Sequence, residues 1–434
     1  MVPTKTVKES EMGFENTSGP LLQNAPMILE DLDIPVSLAE DLILRRLFTK
    51  GTSSLLELSI AIKLSVPIVH SLFQSLRQKQ LFEVTGMEGN DYQFRLSGAG
   101  RELAAKRFLI SHYSGPAPVS LEAYTKVIRN QATNPVIDRT TLRKALYDLV
   151  LTKRFLDDLG PALASQKSIF LYGPTGNGKT SIAERLSRIY KDVVAVPYAL
   201  EVDGQVVILY DPSTHERVDM HHDDHDPRWV LCRRPCIVVG AELDKNMLEL
   251  QLEENTKVYV APVHMRANNG VLVIDDFGRQ VVSPNYLLNR WILPLDRRID
   301  YLTLKYGLKF KIPFEMTVVF STNLNPSDLA DEAFLRRIPN KIYVDPVGPK
   351  KFDMIFNYII KKRGLPCESK SAEYLRTLCL RLGARELRAC QPKDILDILM
   401  SISAYEGQSP QVTPGSLERA ASLYFAKPEE KLKQ

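Results

Sequence analysis

The stretch Gly173-Pro-Thr-Gly-Asn-Gly-Lys-Thr180 constrains this chain more than any other. It follows an apolar run, Ser168 to Tyr172, and opens a helical pattern running to Ile189, so it joins a strand to a helix. Gly173, Gly176 and Gly178 let backbone N–H groups curl around a polyphosphate, with Pro174, Thr175 and Asn177 completing the loop. Lys179 is placed to reach the outer phosphates, the Thr180 hydroxyl to hold Mg²⁺, and Ser181 to follow on the first helical turn. A nucleoside triphosphate such as ATP is the ligand this pattern fits.

At 434 residues the chain is too long for one core, and roughly two to four domains are expected. A net charge of +4 gives no global field favouring nucleic acid or an anionic membrane, so partners must be read from sites. No apolar run has the length of a membrane span, and the polar start lacks a signal peptide's apolar centre. No membrane insertion and a cytoplasmic location are expected. Cys232, Cys236, Cys367, Cys379 and Cys390 lack paired metal or disulfide spacings and read as reduced thiols.

Residues 1–34 have little apolar periodicity and are expected as a flexible tail, as are 428–434. From 35 to 112 the pattern is three short helices and a hairpin. Ser54-Leu-Leu-Glu57 is a capping box, Ser65-Val-Pro67 starts another helix, and Leu81–Val84 and Tyr92–Leu96 flank a polar turn at Gly86–Asn90. This order resembles a winged helix-turn-helix domain. Its Pro35–Phe108 stretch carries ten Lys/Arg against seven Asp/Glu, a thinner basic stripe than DNA readers show, so protein contact is favoured over DNA contact.

Residues 113–141 contain Ser114-Gly-Pro-Ala-Pro118 and Asn134-Pro135 and read as an extended connector around one short helix. Leu142 to Leu163 reads as one long amphipathic helix. After the loop helix, Asp192–Val196 is expected as the second core strand. A β-hairpin insertion over about 198–262 follows, turning at Asp203-Gly204. Within it the cluster His215, His221, His222, Asp223, Asp224, His225, Asp226 has ligand types a metal accepts, but consecutive residues diverge, and a solvated loop is the plainer reading.

Gly270-Val-Leu-Val-Ile-Asp-Asp276 is an apolar strand ending in two carboxylates, the pattern that complements a phosphate loop: Asp275 for Mg²⁺ and Asp276 to orient the attacking water. Thr317–Asn323 is a further strand ending in an amide, and Asp331-Glu-Ala-Phe-Leu-Arg-Arg-Ile338 follows. With these residues the chain resembles an AAA+ ATPase from about Leu142 to Phe425. The expected fold is therefore α/β: a three-layer P-loop core over 142–345 with a largely parallel sheet, a helical lid over 346–427, and the N-terminal winged helix.

The resemblance implies a first-sensor role for Asn323 and an arginine finger at Arg337, or else Arg336, reaching a neighbouring subunit's γ-phosphate. The hairpin over 298–312 resembles the pre-sensor insertion of the branch holding the MoxR and magnesium-chelatase ATPases. Lys393 falls where the family carries its second-sensor arginine, with Arg385 and Arg388 as alternatives, and Asp276 stands where most members have glutamate. These departures leave ATP binding intact and bear on the hydrolysis rate. The resemblance implies a homo-oligomeric, six-membered ring using ATP and Mg²⁺, and the near-neutral winged helix with the large insertion favours a chaperone-like remodeller acting on a protein client. A DNA-associated loader or regulator and a slow-turnover nucleotide switch are the alternatives.

Overall fold

Strands that are buried along their whole length, or nearly so, need cover on both faces. In the computed structural model Val271–Ile274 and Thr317–Thr322 are buried at every position, and Ile169–Tyr172 at all but its last. They form the middle of a five-stranded, wholly parallel sheet in the order Cys236–Val239, Val271–Ile274, Thr317–Thr322, Ile169–Tyr172, Asn340–Tyr343. Alternate residues face opposite layers: Phe170, Leu272, Ile274, Val318 and Phe320 pack with Trp291 and Leu287, while Ile169, Leu171, Val271, Val273 and Val319 pack with Leu159 and Ile182. This is the three-layer α/β P-loop core expected from the sequence. The structure describes residues 24–89, 91–132, 137–219, 225–329 and 332–425.

The second core strand differs from the one expected. Val193–Pro197 leaves the sheet and pairs antiparallel with Trp229–Arg233, and Cys236–Val239 takes its place beside Val271–Ile274. Both runs are short and rich in Val, so local pattern does not separate them; the partner strand decides. The long helix expected over 142–163 is two, Arg139–Ala145 and Lys153–Ala164. The second helix starts afresh because Thr152 caps it, accepting from the Phe155 N–H. In the break Asp148 accepts from Arg185 and Arg188 of the segment after the phosphate loop.

The insertion is a β module with its own core. Its five-stranded sheet runs Gln251–Glu253, Val258–Val260, Gln205–Ile208, Ala199–Val202, Val119–Ser120. The hairpin turns at Asp203 and Gly204, both at positive φ, as the Asp-Gly pair predicts. Residues 113–141 are not merely a linker: Val119–Ser120 pairs with Ala199–Val202, and the helix Leu121–Asn130 buries Tyr124, Val127 and Ile128 in the module. Asn134-Pro135 lies outside the described residues. A two-stranded hairpin, Ile299–Thr303 with Lys309–Pro313, adds Leu302, Leu304, Phe310 and Ile312 to the same core.

In the N-terminal region the capping box forms as read: Ser54 accepts from the Glu57 N–H, and the Glu57 carboxylate accepts from the Ser54 N–H. Helices Val36–Lys50, Leu55–Ile62, Val66–Gln78 and Gly98–Ile110 enclose a core with the antiparallel strands Thr52–Ser54, Asp91–Leu96 and Phe82–Glu88. The turn expected over Gly86–Asn90 is tighter than read: Phe82–Glu88 continues as strand, with an irregularity between Val84 and Gly86, until Glu88 pairs with Asp91. Residues 24–34, expected within a flexible tail, are anchored. Leu32 and Ile34 are buried, and Asp33 accepts from the Ser120 N–H and from Arg228. Burial raises the Asp33 pKa, but Arg228 and these hydrogen bonds outweigh it and hold the carboxyl below its ordinary value. Residues 1–23 and 426–434 lie outside the described residues.

Four helices, Pro349–Arg363, Ser371–Arg381, Gln391–Tyr405 and Pro414–Tyr424, close the chain around a separate core centred on Phe352, Phe356, Leu375 and Leu396. Among the described residues no single helix is long and apolar enough to cross a membrane.

Candidate nucleotide-binding site

The phosphate loop leaves Tyr172 and enters the helix Lys179–Arg185 with Gly173, Gly176 and Gly178 all at positive φ. At Gly173 a Cβ would stand 2.5 Å from the Val344 carbonyl oxygen, so the loop's first turn is open only to glycine. Lys179 is buried, and its Nζ donates to the Gly173 and Pro174 carbonyls at 2.9 and 3.1 Å. Burial lowers the pKa of its ammonium, with Asp275 and Asp276 opposing that effect. Asn177 is buried and donates to the Pro174 carbonyl, while Pro174, Gly178, Thr180 and Ser181 are half-buried and Thr175 is exposed.

The two halves of the expected site meet. Thr180 Oγ1 donates to Asp275 Oδ2 at 2.7 Å across 95 residues of sequence. Asp276 follows, exposed and at φ +47°, a left-handed conformation that Asp and Asn tolerate better than most side chains. Thr322 pairs with Tyr172, which brings the half-buried Asn323 beside the start of the phosphate loop. A hydroxyl and a carboxylate in contact are hard oxygen donors of the kind Mg²⁺ takes.

The arginines expected to serve a neighbour lie away from this loop's hydrogen bonds. Arg337 Nε is paired with Asp296 Oδ2 at 2.8 Å, and Arg336 is exposed. Both follow the short helix Glu332–Leu335; Asp331, the first residue of the motif, lies outside the described residues.

Sequence reasoning missed how the C-terminal helices engage the loop. The Cys390 N–H donates to the Gly176 carbonyl at 2.9 Å, and the Ala389 N–H donates to Asn177 Oδ1 at 3.3 Å. A Cβ on Gly176 would stand 2.7 Å from Cys390 Sγ and 3.3 Å from Arg388 Cδ. The Arg388 side-chain stem thus lies against the loop, whereas Lys393 is exposed on the first turn of Gln391–Tyr405 and makes none of these contacts. The contact joins residues more than two hundred positions apart and leaves no local signal. Gly176→Ala is expected to cost about 1–3 kcal/mol, from left-handed strain plus the clash. Denaturant unfolding of the double variant Gly176→Ala, Cys390→Ala should recover part of that loss. No recovery would mean the thiol contact is not its cause.

The His/Asp cluster divides. His215 is buried: its Nδ1 accepts from the Asp211 N–H, its Nε2 donates to the Arg266 carbonyl, and its ring stacks on Tyr210. Asp226 is buried against Arg228. These two are structural side chains and not part of a solvated loop. His221, His222, Asp223 and Asp224 lie outside the described residues, and among those described no group of three or more His, Cys, Asp or Glu could hold a metal.

A family described only as a domain of unknown function (DUF8689) matches residues 348–423, the four C-terminal helices. No curated protein matches the chain. Among solved structures, NtrX from Brucella abortus is similar at 13% identity and a TM-score of 0.41, over 72% of this chain and 71% of that one. Two point mutants of RuvB from Thermotoga maritima are also similar. One gives 13% identity and a TM-score of 0.33, over 66% of this chain and 70% of that one. The other gives 14% identity and a TM-score of 0.36, over 63% and 69%. Likenesses this remote assign neither activity nor partner to this chain.

Proposed function

We propose that this protein binds ATP with Mg²⁺ and hydrolyses it as an oligomeric AAA+ ATPase that remodels protein complexes. The observation that carries the reading is the contact between Thr180 and Asp275 beneath a phosphate loop, with Asp276 next in sequence and Asn323 just past the end of the adjoining strand. Thr180 and Asp275 would hold the metal, which supplies charge neutralisation at the phosphates. Lys179 is released from the Gly173 and Pro174 carbonyls to meet the outer phosphates, and the loop N–H groups bind the inner ones. Asp276 orients the attacking water as general base, supported by Asn323, and Arg388 reaches the phosphates from the lid. Arg337 leaves Asp296 and completes the site of the next subunit in a ring.

A protein client is favoured over DNA by the near-neutral N-terminal region and by the large β module. That module shares its core with the hairpin leading into Thr317–Thr322, so movement at the site has a packed route to it. The slow-turnover switch has one observation on its side, the tie between Arg337 and Asp296 within one chain.

Mixing two variants tests the shared site. Arg337→Ala and Asp276→Asn should each reduce turnover by at least about a hundredfold while retaining ATP binding. Mixed together they should regain measurable turnover, because some interfaces then pair an intact arginine with an intact carboxylate. Absence of recovery in co-assembled mixtures would exclude an arginine supplied in trans.

A further inference from the structure

The Asp276 carboxylate receives no hydrogen bond from the described side chains, so its position is set by its backbone, and that backbone is in an unfavourable conformation at φ +47°. Something else must hold the turn. The chain leaves the sheet at Ile274 and makes a tight excursion that closes when the Arg279 N–H donates to the Asp276 carbonyl at 3.0 Å. The inner wall is fixed to the neighbouring strand. The Phe277 N–H donates to the Ser321 carbonyl at 2.7 Å, and Thr322 Oγ1 donates to the Phe277 carbonyl at 2.8 Å. Phe277 itself is buried among Phe170 and Phe320.

The outer wall is held by one side chain. Gln280 Nε2 donates to the Asp275 carbonyl at 2.7 Å, and Gln280 Oε1 accepts from the Gly278 N–H at 2.8 Å. The amide therefore bridges the residue before Asp276 to the residue two after it. It spans the left-handed position from outside, as Thr322 and Ser321 do from inside. Both functional atoms of the amide are engaged with backbone, so Gln280 acts as a brace across the turn. The brace also fixes the backbone of Asp275, whose carboxylate touches Thr180.

We infer that Gln280 is a positioning residue for ATP hydrolysis, holding Asp276 in the orientation that activates water; this rests on the function proposed above. Its side chain suits the task because glutamine offers a donor and an acceptor at one end of a two-methylene arm. Glutamate keeps the acceptor for Gly278 but turns an oxygen toward the Asp275 carbonyl, and alanine supplies neither bond. Water can replace the lost bonds at this half-buried loop, so the fold tolerates either change while the precision of the turn is lost.

The test is steady-state phosphate release by the full-length chain, with ATP affinity and thermal unfolding measured alongside, for wild type, Gln280→Ala and Gln280→Glu. Misplacement of a reacting group by about an ångström lowers turnover on the order of a hundredfold. A fall in kcat of about tenfold or more is therefore expected, with ATP affinity within about twofold of wild type and the unfolding temperature unchanged. In an Asp276→Asn background Gln280→Ala should have no further effect on residual turnover, since the group it positions is already disabled. A kcat that stays at the wild-type value in Gln280→Ala overturns the assignment. So does a loss that tracks ATP affinity or unfolding, or one that adds fully to Asp276→Asn. A wild type that binds ATP without turning it over would remove the function proposed above, and this assignment with it.

Discussion

Lys179→Ala is expected to weaken ATP binding by roughly ten- to a hundredfold and to lower turnover by a further factor on the order of a hundred. The first figure follows from losing a charge-assisted hydrogen bond to phosphate, and the second from losing a cation aimed at charge that develops in the transition state. Lys179 is well placed for a large effect because it is buried and already partly desolvated, so phosphate replaces the two carbonyls it now meets and not a full shell of water. Lys179→Arg is expected to fail nearly as badly. A planar guanidinium presents a wide fork where the short phosphate loop receives a compact ammonium. Calorimetric titration with ATP decides the matter. Wild-type affinity in Lys179→Ala would place the nucleotide elsewhere.

The second large effect is on stability. Asp300 begins the hairpin that leads into the Asn323 strand, and it is almost wholly buried. Its carboxylate pairs with Arg290 Nη1 and Nη2 at 2.5 and 2.9 Å and stands 2.9 Å from His264 Nε2, while Arg290 Nε also pairs with Glu249. Asp300→Ala strands Arg290 and His264 without their shared partner, and removal of one member of a buried ionic cluster costs about 3–5 kcal/mol. Denaturant unfolding is the measurement. A loss under about 1 kcal/mol would show that water or Glu249 replaces the carboxylate.

The same cluster fixes a sign for pH dependence. Burial raises the Asp300 pKa, but His264 and Arg290 outweigh it, and the folded value lies below the ordinary 3.8. The folded carboxyl then binds its proton less tightly than the unfolded one. Its contribution to stability is fully present above the unfolded value and is lost as pH falls through the folded value. The contribution of Asp300 to stability should therefore be constant near neutral pH, and its loss should begin only in strongly acidic solution.

Features that depend on a few adjacent residues were legible from the sequence. The glycines and Lys179 of the phosphate loop, the Ser54–Glu57 box and the Asp203-Gly204 turn each carry their geometry in local chemistry. The contact between Thr180 and Asp275 was legible too, because loop and carboxylate strand are complementary halves of one pattern. Choices settled by partners were not. Val193–Pro197 and Cys236–Val239 are equally good strands, and only the Val271–Ile274 edge discriminates between them. The break at Asp148 reflects two arginines from a later segment. The seating of Arg388 and Cys390 on Gly176 depends on where the C-terminal helices dock, which no periodicity records. His215 and Asp226 looked solvated because their neighbours in sequence are polar, yet their partners in space bury them.

On the function proposed above, a nucleotide site that one chain begins is completed by a neighbour. Steady-state ATP hydrolysis against protein concentration, for wild type and Arg337→Ala with ATP binding followed in parallel, tests it most directly. The rate per subunit should rise with wild-type concentration and level off, and it should collapse in Arg337→Ala while binding persists. A rate per subunit independent of concentration and untouched by Arg337→Ala would contradict it.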